Sequence, residues 1–234
     1  MIEQFNKFCE HRETYAQSKQ DLLALFLLGE KPGYFVEFGA CDGVYLSNTF
    51  MLEKYYNWNG LLVEPSHHYT KVLKDVRSSI IDTSCVSNTT GDIVDFLEIS
   101  NLQGISGLEK YAYDDNHSEL RKEFGKRYIV KTISLNDLLN KHDCPSTIDY
   151  LSIDTEGSEY SILYKYDFSR KFKFITVEHN NTYQEPLINQ LLTDKGYIQI
   201  MPEESKWDSW FVAQDIYENL MNKIKIEERE NNDT

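Results

Sequence analysis

The sequence predicts an α/β domain with a mostly parallel sheet and helices packed on both of its faces. Three observations predict it. Short apolar runs rich in branched and aromatic residues recur along the chain, and segments of helical length separate most of them. Several of these runs are apolar throughout, as in strands covered on both faces. Polar residues close them: Glu37, Glu64, Asp82, Asp154 and the pair Glu178-His179. Sheets of this kind bind ligands beyond the carboxyl ends of their strands, so these closures carry the functional reading.

The first 30 residues read as helix, with Leu22, Leu23, Leu25, Phe26 and Leu27 clustered before the breaker run GEKPG. YFVEF (34–38) is a buried strand, followed by a glycine-bearing loop and a helix over 46–56. GLLVEP (60–65) is a second strand ended by proline, and Ser66 suits the N-cap of the next helix. SIID (79–82) is a third, short strand. DIVDFLEI (92–99) and YIVKTI (128–133) read as strands around a polar stretch, 101–127, expected to be a partly helical insertion that covers the site. Ser134 caps the helix SLNDLLNKH, and IDYLSID (148–154) is the next buried strand. A helix over 158–165, the strand FKFITVEH (172–179), a helix over 185–195 and the strands GYIQIM and SWFVA complete the pattern. The last dozen residues are expected to be a fraying helix and a disordered tail, so the predicted domain spans 31–222.

With 234 residues the chain is long enough for one well-packed domain. No apolar run is long enough to span a bilayer, and the polar N-terminus does not resemble a signal peptide; a cytoplasmic location is the expectation. The four cysteines form no C-x-x-C pair and are read as reduced thiols without zinc. A net charge of −14 disfavours nucleic acid as a partner. Oligomeric state is left open.

The loop Glu37-Phe38-Gly39-Ala40-Cys41-Asp42-Gly43 follows the first strand. Its glycines permit a tight turn and close approach of backbone to a ligand. The spacing is G-x-x-x-G, not the dinucleotide G-x-G-x-x-G, and the loop carries two acids where a pyrophosphate requires none. Carboxylates suit a ligand with an ammonium and a sulfonium group. Glu64, 21 residues beyond Gly43, stands where an acid accepts hydrogen bonds from ribose hydroxyls. Together they indicate an adenosine-containing ligand in a Rossmann-like site.

YFVEFGACDGVYLSNTFMLEKYYNWNGLLVEP (34–65) and IDYLSIDTEGSEYSIL (148–163) resemble the FkbM-type S-adenosylmethionine-dependent methyltransferases. YAQSKQDLLAL (15–25) and VKTISLNDLL (130–139) are also similar to family stretches, so the resemblance runs from Tyr15 to Val212. The D-x-E-G-x-E pattern from Asp154 to Glu159 is its most specific part. The resemblance implies a class I methyltransferase fold, with a seven-stranded sheet whose last strand is antiparallel. It also implies O-methylation, often of sugars in glycans, glycolipids or natural products. By position, Glu37, Gly39 and Gly43 would surround the methionine part of the cofactor, with Ala40 and Asn48 beside them. Glu64 and Pro65 would hold the ribose. Asp82, Cys85 and Val86 would lie by the adenine, and Asp154 would face the reaction centre. The acceptor does not carry over from the family.

A sugar hydroxyl is a weak nucleophile, so a general base is expected; Asp154, Glu156 and His179 are the candidates. Glu159 suits a helix N-terminus equally well. Asp154, Glu156 and Glu178 could gather a hard cation, although nothing in the spacing requires a metal. The 16 tyrosines, with Trp207 and Trp210, are compatible with a carbohydrate acceptor and equally with core packing. A noncatalytic binding module and a nicotinamide-dependent sugar enzyme remain the alternatives.

Overall fold

A computed structural model of the chain describes residues 1–100, 104–113 and 116–232. The strands are β1 (Tyr34–Phe38), β2 (Asn59–Val63), β3 (Ile80–Asp82), β4 (Cys85–Ser87), β5 (Ile93–Glu98), β6 (Gly107–Leu108), β7 (Lys126–Ser134), β8 (Thr147–Ile153), β9 (Lys171–Glu178), β10 (Tyr197–Gln199) and β11 (Asp208–Ala213). The helices are α1 (Ile2–Cys9), α2 (Gln20–Leu28), α3 (Phe50–Tyr56), α4 (His67–Val76), α5 (Ser118–Phe124), α6 (Leu135–Lys141), α7 (Glu159–Lys165), α8 (Gln184–Asp194), α9 (Pro202–Ser205) and α10 (Gln214–Asn232).

Seven strands form the main sheet in the order β10-β11-β9-β8-β1-β2-β3. All are parallel except β11, which runs antiparallel to both β9 and β10. The predicted Rossmann-like α/β fold is therefore the observed one. Alternate residues of each strand face opposite layers. Val36 and Phe38 pack in a cluster with Leu138, Ile162 and Ile188 of α6, α7 and α8. Phe35 and Leu62 pack in a second cluster with α2, α3 and Leu220 of α10. Continuous apolar runs satisfy both faces at once, which is why these strands do not alternate.

The strands expected at 92–99 and 128–133 lie elsewhere. They are β5 and β7 of a separate four-stranded sheet, ordered β4-β7-β5-β6. Ile93 and Ile129 are exposed there, consistent with strands covered on one face only. The insertion comprises β6, a 3-10 turn at Glu109–Tyr111, α5 and the start of β7. Parts of that expectation fall at 101–103 and 114–115, outside the described residues.

The N-terminal region is not helical throughout. Asp21 accepts hydrogen bonds from Thr14 Oγ1 and from the Tyr15 and Ala16 amides, at 2.6, 2.9 and 3.3 Å. These bonds hold 14–16 as a loop that pairs Ala16 with Leu46. At the other end α10 continues to Asn232, through much of the segment expected to fray; 233–234 lie outside the described residues. Ser66 and Ser134 cap α4 and α6 as expected, accepting from the Tyr69 and Asp137 amides. Among the described residues no helix is long and apolar enough to cross a membrane.

Candidate functional site

β1, β2, β8 and β9 are mutually parallel, so the loops that follow them gather at one end of the sheet. Two adjoining cavities open there and share Gly39, Cys41, Gly104, Asp154 and Glu156. One is a narrow, largely apolar cleft beside β2, lined by Glu64, Pro65, Tyr69, Cys85, Val86 and Phe96. The other, about 440 Å³, extends toward β9 and β11 and is lined by Ala40, Asn48, Asp154, Glu156, Glu178 and Asp208, with Gln17 and Gln20 from the N-terminal region.

Gly39 makes the junction possible. Its φ is +74°, and a Cβ there would lie 2.1 Å from the Asp154 carbonyl oxygen. Only glycine lets the loop after β1 pass this close to the loop after β8. Glu64 ends β2 with each oxygen accepting one backbone hydrogen bond, from the Ser66 amide at 2.7 Å and the Cys41 amide at 2.8 Å. A carboxylate oxygen accepts two, so one acceptor direction remains on each. Burial lifts the Glu64 carboxyl to about 7. Among the described residues, two buried polar atoms beside the cavities have no hydrogen-bond partner: the Tyr69 hydroxyl and Asn48 Oδ1.

Several expected ligand residues sit elsewhere. Glu37 lines neither cavity. Its carboxylate accepts from the Asn48 amide at 2.8 Å, from Ser47 Oγ at 3.1 Å and from Thr49 Oγ1 at 2.5 Å, and Arg77 Nη1 lies 3.7 Å away. Glu37 thus shapes the loop that presents Asn48. Gly43 is also behind the wall: a Cβ there would meet Leu73 Cδ1 at 2.5 Å. Asp82 turns toward α6, where Lys141 Nζ and His142 Nε2 lie 2.7 and 2.6 Å from its Oδ2. These two side chains hold its carboxyl well below the usual range, and it lines neither cavity. His179 is buried, and its Nδ1 accepts from the Asn181 amide at 3.1 Å. It borders a separate small cavity with Gly157 and Gln184, not the 440 Å³ one.

The carboxylates converge. Asp154, Glu156 and Glu178 each offer one oxygen, all within 4.8 Å of one another. Burial raises both Asp154 and Glu178, and Glu178 is pushed further up by its Asp154 neighbour. Both carboxyls are thus held toward their protonated forms, Glu178 more strongly than Asp154. Glu156 takes a left-handed φ of +58° and receives Arg121 Nη2 at 2.7 Å. Arg121, buried on α5, also donates to the Ile105 and Ala112 carbonyls at 2.7 and 3.0 Å. It ties the insertion to the loop after β8. Glu159 accepts from the Thr155 and Gly157 amides at 2.8 and 3.1 Å and fixes that loop from inside. Sequence reading missed Tyr69, Arg121 and Asp208. Tyr69 lies three residues beyond the predicted Ser66 cap, which is a usable signal; Arg121 and Asp208 have none.

A doubly wound sheet with one antiparallel strand and a ligand cleft at the carboxyl ends of its strands has the build of the Rossmann-like methyltransferases. The profile of the methyltransferase FkbM domain matches residues 37–198, more than half of the sequence, and the chain belongs to that family. Its structure is similar to that of a methyltransferase FkbM from Methylobacillus flagellatus KT, at 12% identity and a TM-score of 0.48. The similarity covers 90% of this chain and 58% of that one, so the chain spans little more than half of that protein's length. No curated protein matches significantly.

Proposed function

We propose that the protein is an S-adenosylmethionine-dependent O-methyltransferase acting on a sugar hydroxyl of a glycan, glycolipid or related metabolite. The observation that carries this reading is the continuity of the two cavities: an apolar cleft ending in Glu64 opens into a larger space around Asp154. When bound, the cofactor supplies an activated methyl group on a sulfonium. The free acceptor directions of Glu64 suit the two ribose hydroxyls, and the unpartnered Tyr69 hydroxyl suits the adenosine. Asn48 Oδ1 suits the ammonium group. Asp154 would accept the proton of the acceptor hydroxyl during transfer, and Glu178, with an oxygen within 4.8 Å, would steady it. Gly39 and the loop after β8 fix the position of Asp154, which would orient the acceptor oxygen toward the methyl of a bound cofactor, and such alignment supplies a large part of the rate.

Calorimetry separates this reading from its rivals. S-adenosylhomocysteine should bind and NAD should not; the reverse would sink the proposal. Labelled methyl transfer to a panel of sugars and glycosides tests the acceptor class. Cofactor binding without transfer to any acceptor would favour a noncatalytic module. A second reading, in which Asp154, Glu156 and Glu178 hold a divalent cation that binds substrate hydroxyls, is favoured by their 4.8 Å grouping. Chelator would then stop turnover and added magnesium or manganese would restore it. Activity indifferent to chelator leaves Asp154 as a simple base.

A further inference from the structure

Glu98, the last residue of β5, is a buried carboxylate that lines neither cavity and that the proposed chemistry does not use. A carboxylate is stable in such a place only when hydrogen bonds satisfy it, so its donors show what it holds. Its Oε2 accepts from Ser66 Oγ at 2.8 Å, from the Tyr128 hydroxyl at 2.9 Å and from the His68 amide at 3.2 Å. Its Oε1 accepts from Ser100 Oγ at 3.2 Å. Burial pushes the carboxyl up, but these bonds together outweigh it and hold the group below its ordinary value. Two of the donors connect Glu98 to the cofactor cleft. The Ser66 amide donates to Glu64 Oε1 at 2.7 Å, and Ser66 Oγ accepts from the Tyr69 amide at 3.4 Å. One serine thus touches both cleft groups, and Glu98 fixes its hydroxyl. Tyr128 of β7 is the second link. Its hydroxyl accepts from the His67 amide at 3.2 Å, and its ring stacks on the His67 ring with centroids 4.3 Å apart. It also packs on Phe96, which lines the cleft, at 5.5 Å between centroids. The Glu64 backbone is held separately, its amide donating to the Asp82 carbonyl at 3.0 Å. What Glu98 sets is the Ser66 amide that orients the Glu64 carboxylate.

We infer that Glu98 is a positioning residue for the cofactor cleft: acting through Ser66 and Tyr128, it locks residues 65–69 to the second sheet and so turns the Glu64 carboxylate and the Tyr69 hydroxyl toward the ligand. This role rests on the proposed cofactor reading and adds to it the group, 32 positions beyond Ser66, that governs affinity there. Without Glu98 the Ser66 hydroxyl loses its acceptor. Residues 65–67 are then tied to the second sheet mainly through Tyr128, whose hydroxyl lies 3.4 Å from the Pro65 carbonyl oxygen.

The test compares Glu98→Met, Glu98→Gln and Tyr128→Phe in the full chain. Met removes the acceptor oxygens, whereas Gln keeps one of them without the charge. S-adenosylhomocysteine is titrated by calorimetry at pH 8, where Glu64, raised to about 7 by burial and further by the Glu98 charge, is ionised in every variant. Glu98→Met should bind it about tenfold or more weakly than the parent, and Glu98→Gln should stay within about threefold. Tyr128→Phe should also bind more weakly than the parent. The Glu98→Met loss should shrink in a Glu64→Ala background, because part of it passes through that carboxylate. Parent-like affinity in Glu98→Met, or an equal loss with and without Glu64, overturns the inference. Failure of Gln to restore binding does the same. If the parent binds no S-adenosylhomocysteine, the cofactor reading has failed, and the positioning is read on the free protein. The Ser66 and Cys41 amides, which donate to Glu64, should exchange faster with solvent in Glu98→Met and Tyr128→Phe and as slowly as in the parent in Glu98→Gln. Exchange unchanged in the first two overturns the inference. Tyr128→Phe removes only a hydroxyl, so it decides the question should Glu98→Met not fold: parent-like affinity and exchange in it overturn the inference.

Discussion

Glu64 and Asp154 both stand at carboxyl ends of parallel strands of one sheet, yet their surroundings differ. Glu64 is surrounded by its own neighbourhood in sequence: the Ser66 amide, the Cys41 amide and Pro65. Asp154 is surrounded by groups from across the chain: Glu178, Asp208, Gln20 and, through Glu156, Arg121 of the insertion. A bond between Gln20 and Asp208 alone spans 188 positions. The hydrogen bonds that hold Glu64 come from one strand-helix-strand unit, although its cleft is closed by Phe96 and Leu108; those around Asp154 need the whole domain. A binding determinant can be local, whereas a reaction centre that must align two ligands draws on several elements.

The largest test of that contrast is Asp154→Asn, which keeps the shape and removes the charge. Turnover should fall by about two to four orders of magnitude if Asp154 is the general base. Affinity for S-adenosylhomocysteine should change far less. Parent-like turnover in labelled-methyl assays would remove Asp154 from the chemistry.

Arg121→Met comes next. It leaves Glu156 buried without its cation, and losing one partner of a buried pair costs about 3–5 kcal/mol. The loss should be felt first in the insertion, with faster hydrogen exchange across 104–113 and 116–124 while the main sheet stays protected. We expect the insertion to act as a cover, so exchange there should slow when cofactor and acceptor bind. Equal protection in parent and variant would mean that Arg121 does not hold it.

This contrast also explains what could be read from the sequence. The seven strands of the main sheet were legible because burial on both faces demands continuous apolar runs, as in YFVEF and FKFITVE. The Glu64 side of the cleft was legible because Gly39, Glu64, Pro65, Cys85 and Val86 lie close together in sequence, whereas Phe96 and Leu108, which close it, were not. Glu37 and Asp82 show the limit: both close strands, but their partners, Arg77 for one and Lys141 with His142 for the other, lie on helices whose approach no spacing reveals. His179 and Glu178 were named as a pair. Which of them faces the cavity depends on the register Glu178–Asp208 with β11. The second sheet was hidden because β5 and β7 look like any other strands until their exposed faces are seen.

Glu64→Ala should weaken S-adenosylhomocysteine binding by roughly 1–3 kcal/mol, the cost of leaving the ribose hydroxyls unpaired. Turnover at saturating cofactor should change little. Calorimetry that gives unchanged affinity would take Glu64 out of the site and leave the two halves of the cleft without the contrast drawn here.

The smallest expected effect is the pH dependence of cofactor binding. Burial raises the Glu64 carboxyl from 4.5 to about 7, so the folded protein holds a proton there that the unfolded chain has already lost. By linkage, this group's contribution to stability is greatest below pH 4.5 and is lost as pH rises through about 7. The free protein should therefore melt at lower temperature at pH 8 than at pH 5 on this account. If ribose hydroxyls donate to Glu64 as proposed, they favour its ionised form, so binding should release a proton and tighten as pH rises. With a carboxyl titrating near 7, the ionised fraction grows about tenfold between pH 6 and pH 8, and affinity should follow by the same factor. Asp154, Glu178 and Asp208 are also raised, so the measurement belongs in the Asp154→Asn background and is read as the difference made by Glu64→Gln. There Glu64→Gln should flatten the profile. If affinity stayed as pH-dependent in that double variant, the proton released would belong to another group, and the burial of Glu64 would not govern binding.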